Sequence, residues 1–123
     1  MPCVSAALAN IEILKEEKLI ERARVLGLEL GKRLEQIAER HQRFIRWVAG
    51  KGLFYSIHLR APDTNATLAE ECDEIAMECV RRGVMLFLTG RGFLKIVPPL
   101  TISSEALFEA IGVIEEVMDE KLL

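Results

Sequence analysis

Between Leu19 and His41, apolar residues recur at Leu19, Ala23, Leu26, Leu30, Leu34 and Ile37, in steps of three and four. That spacing puts them on one stripe of a long helix and requires another element to cover the stripe. Gly27 and Gly31 lie inside the same helix, four residues apart. Each is unfavourable there by up to about 1 kcal/mol relative to alanine, which leaves two readings: close approach of a neighbouring backbone, or tolerated surface glycine.

The remaining elements follow from the same reasoning. Val4 to Glu16 reads as a first helix, separated from the second by the polar stretch Glu16 to Lys18. Phe44 to Val48 and Leu53 to Arg60 are rich in aromatic and branched residues and read as strands. The second places Leu53, Tyr55, Ile57 and Leu59 on one face and Phe54, Ser56 and His58 on the other. Gly50, Lys51 and Gly52 between them fit either a hairpin or a bulged, bent strand. After a turn at Ala61 to Thr64, Leu68, Cys72, Ile75, Ala76 and Cys79 give a third helix, ended by Gly83. Val84 to Leu88 and Phe93 to Val97 read as two more strands around a Gly90 to Gly92 turn, the last stopped by Pro98 and Pro99. Ser103 or Ser104 caps a final helix with Leu107, Ile111, Ile114 and Met118 on its buried stripe. The expected order is ααββαββα, an α+β fold with a small antiparallel sheet covered on one face by helices.

With 123 residues the chain has room for one core, so 1–123 reads as a single domain. Sixteen basic residues are offset by nineteen acidic ones, which argues against a sequence-independent nucleic-acid partner. The longest uncharged stretch, Met1 to Ile11, is far shorter than the roughly 20 apolar residues of a membrane span. No secretory signal is visible. Cys72 and Cys79, on one helix, lie about 10 Å apart, too far for a disulfide. A reducing cytoplasm is the expected location.

His41 and His58 have no metal-ligand spacing around them, so no metal is expected. Cys72 and Cys79 fall on an apolar helix face and read as structural rather than nucleophilic. Glu70, Glu71, Asp73, Glu74 and Glu78 give the third helix an acidic, solvated face. Gly90, Arg91 and Gly92 resemble a fragment of a phosphate loop, but no helix follows to complete one. Arg91 and Lys95 are the best polar candidates. Lys95 interrupts an apolar strand just before the Pro98-Pro99 corner, where a cation meets a substrate carboxylate or simply guards an edge strand against aggregation. No paired acid and base stands out, and no catalytic residue is assigned.

The order of motifs resembles the C-terminal part of class III aminotransferases, pyridoxal-phosphate enzymes of fold type I. The segments that carry it are PCVSAALA at Pro2 to Ala9, LEQIAERH at Leu34 to His41 and VAGKGL at Val48 to Leu53. RRGV at Arg81 to Val84 and FLKIVPPLTI at Phe93 to Ile102 follow, then a helix with Glu105, Ala106 and Leu107. The resemblance implies a small domain that folds over the edge of a larger cofactor-binding domain and helps form the substrate side of its active site. It also implies that the Schiff-base lysine and the acidic partner of the pyridine nitrogen lie upstream of Pro2. On that reading pyridoxal phosphate belongs to the parent enzyme, none is bound by this chain alone, and the chain is a truncated or separately expressed domain without activity of its own. Lys95 stands where many members carry a carboxylate-gripping arginine, and Ala49 stands where V-R-G-x-G-L has its arginine. Lysine keeps the charge but loses the planar two-point fork. The implied partner is the large domain, and without it an exposed apolar face would favour self-association. From the residues alone, a free-standing small-molecule-binding or protein-interaction domain remains the alternative.

Overall fold

A computed structural model describes residues 1–123. Its elements are α1 (Pro2–Glu16), α2 (Leu19–Arg40), β1 (Ile45–Lys51), β2 (Phe54–Leu59), α3 (Ala69–Arg81), β3 (Phe93–Ile96) and α4 (Ser104–Leu122). The fold is α+β, with a three-stranded antiparallel sheet in the order β1-β2-β3. α2 lies across β1 and β2, α3 lies on β3, and α4 packs against α3 and α2.

The apolar periodicities account for the core. Leu26, Leu30, Leu34 and Ile37 of α2 are buried, as are Ile57 and Leu59 of β2, Leu94 and Ile96 of β3, and Leu107, Ile111, Ile114 and Met118 of α4. Together with Cys72, Ile75, Ala76 and Cys79 of α3 they belong to one cluster. The hairpin turn between β1 and β2 is Gly52-Leu53, closed by the Lys51–Phe54 pair, with Gly52 at φ +59°. Of the two readings open for Gly50 to Gly52, the connection is thus the hairpin; a bulge does shift the register, but at Arg46, between Ile45 and Trp47, where none was expected. Ser103 caps α4, its Oγ accepting from the Ala106 N–H at 3.1 Å.

Gly27 and Gly31 are the points where α2 meets the hairpin. A Cβ on Gly27 would lie 2.3 Å from the Gly52 carbonyl oxygen, and one on Gly31 would lie 2.5 Å from the Tyr55 hydroxyl. Tyr55 donates that hydroxyl to the Gly27 carbonyl at 3.2 Å. Close approach is therefore the reason for both glycines.

Polar contacts fasten the helices to one another. Glu115 of α4, only 9% exposed, is paired by both Arg33 and Arg40 of α2, the latter at 3.1 Å. Arg40 also reaches Asp119 at 2.6 Å, and the buried His41 ring has Nε2 2.8 Å from the same carboxylate. Two cations around one buried carboxylate supply the charge neutralisation that its desolvation requires.

The strand expected over Val84 to Leu88 does not form. That segment meets the sheet through a single bridge, Phe87 to Lys95, so the order is ααββαβα rather than ααββαββα. Gly83 at φ +88° ends the α3 region, and Gly90 and Gly92 at +61° and +74° turn the chain before β3. Between these breaks only Leu86 is buried, while Met85, Phe87 and Leu88 are exposed. Branched and aromatic composition favours a strand only where a partner strand and a covering layer are present.

Gly112 lies in α4 with nothing within 4 Å of where a Cβ would be. Gly112→Ala is expected to stabilise the fold by about 0.5–1 kcal/mol through helix propensity alone. Thermal denaturation checks it: an unchanged or lowered Tm would mean that the position is less open than it stands here.

Candidate functional site

The sheet has one covered face and one open face, and strand alternation decides what each presents. Pairing of Trp47 with His58, Ala49 with Ser56, and Lys51 with Phe54 puts these residues on the open face of β1 and β2. Phe93 opposite His58 and Lys95 opposite Ser56 extend it across β3. Trp47, His58 and Phe93 form a row of rings, with centroids 4.8 Å and 5.1 Å apart in succession. His58 Nε2 is 2.9 Å from Ser56 Oγ. Burial, and then the charge of Arg46, hold the His58 imidazole below its ordinary pKa.

Lys95 is half-buried on this face. Its Nζ lies 5.3 Å from the centroid of the Phe54 ring and 5.5 Å from that of Phe87. Both rings offer their negative faces to the ammonium, and no carboxylate or hydrogen-bond acceptor competes for it. The same residue borders a cavity of about 440 Å³ lined largely by apolar side chains, among them Met85, Phe87, Ile96, Val97, Pro98 and Pro99. The prolines are held in place from behind, because Arg22 of α2 donates to the carbonyls of Leu100, at 2.7 Å, and Ile102. A rigid corner, an apolar wall and one uncompensated cation suit a ligand with an apolar body and a carboxylate.

The structure separates the two sequence candidates. Arg91 lies at the far end of β3 and lines a different, smaller cavity with Arg46, Arg60, Trp47 and His58. Arg46 and Arg60 did not stand out in the sequence. The signal available was strand alternation, which places Trp47 and His58 on one face, but no local pattern brings Arg46 and Arg60 to the Gly90 to Gly92 turn. Ala49 is on the open face opposite Ser56, without a charge to offer.

Other candidates resolve into packing. Cys72 and Cys79 are buried, and burial first of all pushes their thiols up to about 12 and about 11. Thiols so rarely ionised are poor nucleophiles at neutral pH. No three His, Cys, Asp or Glu side chains gather in a metal-binding arrangement, and no helix is long and apolar enough to cross a membrane. A pyridoxal-phosphate site needs an amine, an acid facing the pyridine nitrogen and a phosphate cradle in one place. The cavity beside Lys95 is lined by that amine alone, with no carboxylate, so the residues present do not make up such a site.

Against this geometry the comparisons fall in one direction. The family model for aminotransferase class III matches residues 2–118. The mitochondrial ornithine aminotransferase of Arabidopsis thaliana is 32% identical over 119 residues, covering 96% of this chain and 24% of its own length. The acetylornithine aminotransferase of Methanosarcina mazei is 32% identical over 112 residues, covering 91% of this chain and 25% of its own. A transaminase obtained by ancestral reconstruction superimposes with a TM-score of 0.86 at 25% identity, over 96% of this chain and 27% of that one. This chain thus spans about a quarter of the relatives it matches. Sequence match across nearly all of it and agreement of the whole backbone lead to the same place: the chain belongs to the class III aminotransferase family.

Proposed function

We propose that this chain works as the small C-terminal domain of a pyridoxal-phosphate-dependent aminotransferase, docked on a cofactor-binding domain and closing the substrate side of its active site. The observation that carries the reading is Lys95, an ammonium with no counter-ion, seated between Phe54 and Phe87 beside the Pro98-Pro99 corner. In this role Lys95 binds the substrate carboxylate, Phe54 and Phe87 restrict where the ammonium points, and the apolar wall excludes water from the ion pair. Cofactor chemistry, the Schiff-base lysine and the acid opposite the pyridine ring belong to the partner domain, and no reaction step is assigned to this chain's own lysines. The overall reaction is transfer of an amino group from an amino acid or amine to a keto acid. Ornithine and acetylornithine are the donors named for the relatives above and are the first to test.

The docking surface on this reading includes α1, which buries none of its residues and exposes Val4, Leu8, Ile11 and Ile13. Uncovered, such a helix favours self-association.

Exchange of the matching quarter of the Methanosarcina mazei enzyme for this chain tests the proposal. The chimera is expected to bind pyridoxal phosphate and transfer amino groups, while the 123-residue chain with added cofactor and donor transfers none. A folded chimera that binds cofactor but lacks turnover, or turnover by the chain alone, would overturn it.

A further inference from the structure

The Gly90 to Gly92 turn has no part in the proposed carboxylate site, yet it closes one side of a cavity of its own. We infer that this cavity, of about 50 Å³ between Arg46, Arg60 and Arg91, binds the phosphate group of a small molecule. The three guanidinium groups come from separate places: the bulge in β1, the residue after β2, and the turn before β3. None is paired with a carboxylate, whereas Arg24, Arg33, Arg40, Arg81 and Arg82 all are. In a chain with nineteen acidic and sixteen basic residues, three adjacent cations without a counter-ion leave room for an external anion.

The walls are fixed by local contacts. The Arg46 guanidinium stacks 4.6 Å from the centroid of the Trp47 ring. Arg60 Nη1 donates to Asn65 Oδ1 at 3.4 Å, within a turn tied back by the Arg60–Thr67 bridge. The other wall is held by Thr89 Oγ1, which accepts from the Arg91 N–H at 3.3 Å, and by Asp73 Oδ1, which accepts from the Gly90 N–H at 3.4 Å. Gly92 closes the two walls together: a Cβ there would lie 2.0 Å from the Thr67 methyl carbon. The turn has no helix behind it to supply N–H groups, and the arginines of β1 and β2 supply the positive charge instead.

Three arginines lining so small a volume favour a dianion over a monoanion, and guanidinium forks match pairs of phosphate oxygens. The charge is concentrated at this cavity, beside the stacked Trp47, His58 and Phe93 rings, and the chain as a whole is acidic. That suits one phosphate group better than the repeating charge of a nucleic-acid strand.

Trp47, the single tryptophan, reports on the site. Titration of the 123-residue chain with inorganic phosphate at low ionic strength is expected to change its fluorescence saturably, at one site. Arg60→Gln and Arg91→Gln are each expected to weaken binding at least about tenfold, and Lys32→Gln, on the exposed side of α2, to leave it unchanged. In the unsubstituted chain, phosphate is expected to shift the amide resonance of Gly92 and the ring resonances of His58. Acetate binding as tight as phosphate, equal weakening by Lys32→Gln, or shifts confined elsewhere would overturn the site. So would no saturable change, the result expected if these arginines instead meet carboxylates of a longer polypeptide.

Discussion

Gly27→Ala is expected to destabilise the fold by about 2–3 kcal/mol, lowering Tm by roughly 10 °C. An alanine in mid-helix is otherwise favourable by about 1 kcal/mol relative to glycine, so the sign of the result decides between propensity and packing. Packing wins because the added Cβ runs into the Gly52 backbone, with its carbonyl oxygen at 2.3 Å and its C and Cα at 2.5 Å. Gly52 occupies the tight β1–β2 turn at φ +59° and has no side chain to rotate away. Relief requires α2 to lift from the hairpin, which loosens Leu26 and Leu30 in the core. Gly31→Ala meets the end of the Tyr55 side chain at 2.5 Å instead, and a smaller loss is expected, since that ring can tilt and give up only its bond to the Gly27 carbonyl. Urea denaturation of both variants beside Gly112→Ala checks the order. Gly27→Ala as stable as the parent would mean that α2 and the hairpin are not in contact in solution.

How much of this was legible in the sequence differs by element. The stripe from Leu19 to Ile37 predicts α2 because helical periodicity is a local property, repeated here over about five turns. β2 is equally legible: of Leu53, Tyr55, Ile57 and Leu59, read as one face, Ile57 and Leu59 are buried, Tyr55 is half-buried, and Leu53 is buried in the turn just before the strand. Val84 to Leu88 has strand composition but forms no strand, because pairing depends on a neighbour supplied by the rest of the fold and the glycines on either side break the run. The site divides the same way. Lys95 is visible as a charge inside an apolar strand, but its seat depends on Phe54 of a distant strand and on Phe87 folding back across the Gly90 to Gly92 turn. The convergence of Arg46, Arg60 and Arg91 arises from a bulge and two turns, none of which has a periodicity to read.

Lys95 gives the largest expected functional effect. In the active chimera, Lys95→Met is expected to reduce kcat/KM for carboxylate-bearing donors and acceptors by about 10- to 150-fold. That corresponds to the roughly 1.5–3 kcal/mol of a charge-assisted hydrogen bond. Methionine keeps an unbranched apolar chain between Phe54 and Phe87, so the change removes charge with little loss of packing. The carboxylate is not the group transferred and keeps its charge in ground and transition states alike, so the loss is expected in KM more than in kcat. Amine donors that lack a carboxylate are expected to lose little in the amino-donating half of the reaction. This selectivity separates a binding role from a structural one. Lys95→Arg is expected to move the other way, lowering KM for the acids, because a planar fork engages both carboxylate oxygens where an ammonium engages one. Equal losses for acids and amines in Lys95→Met would make the residue a structural part of β3, where Phe87 bridges to it, and not a ligand for the substrate carboxylate.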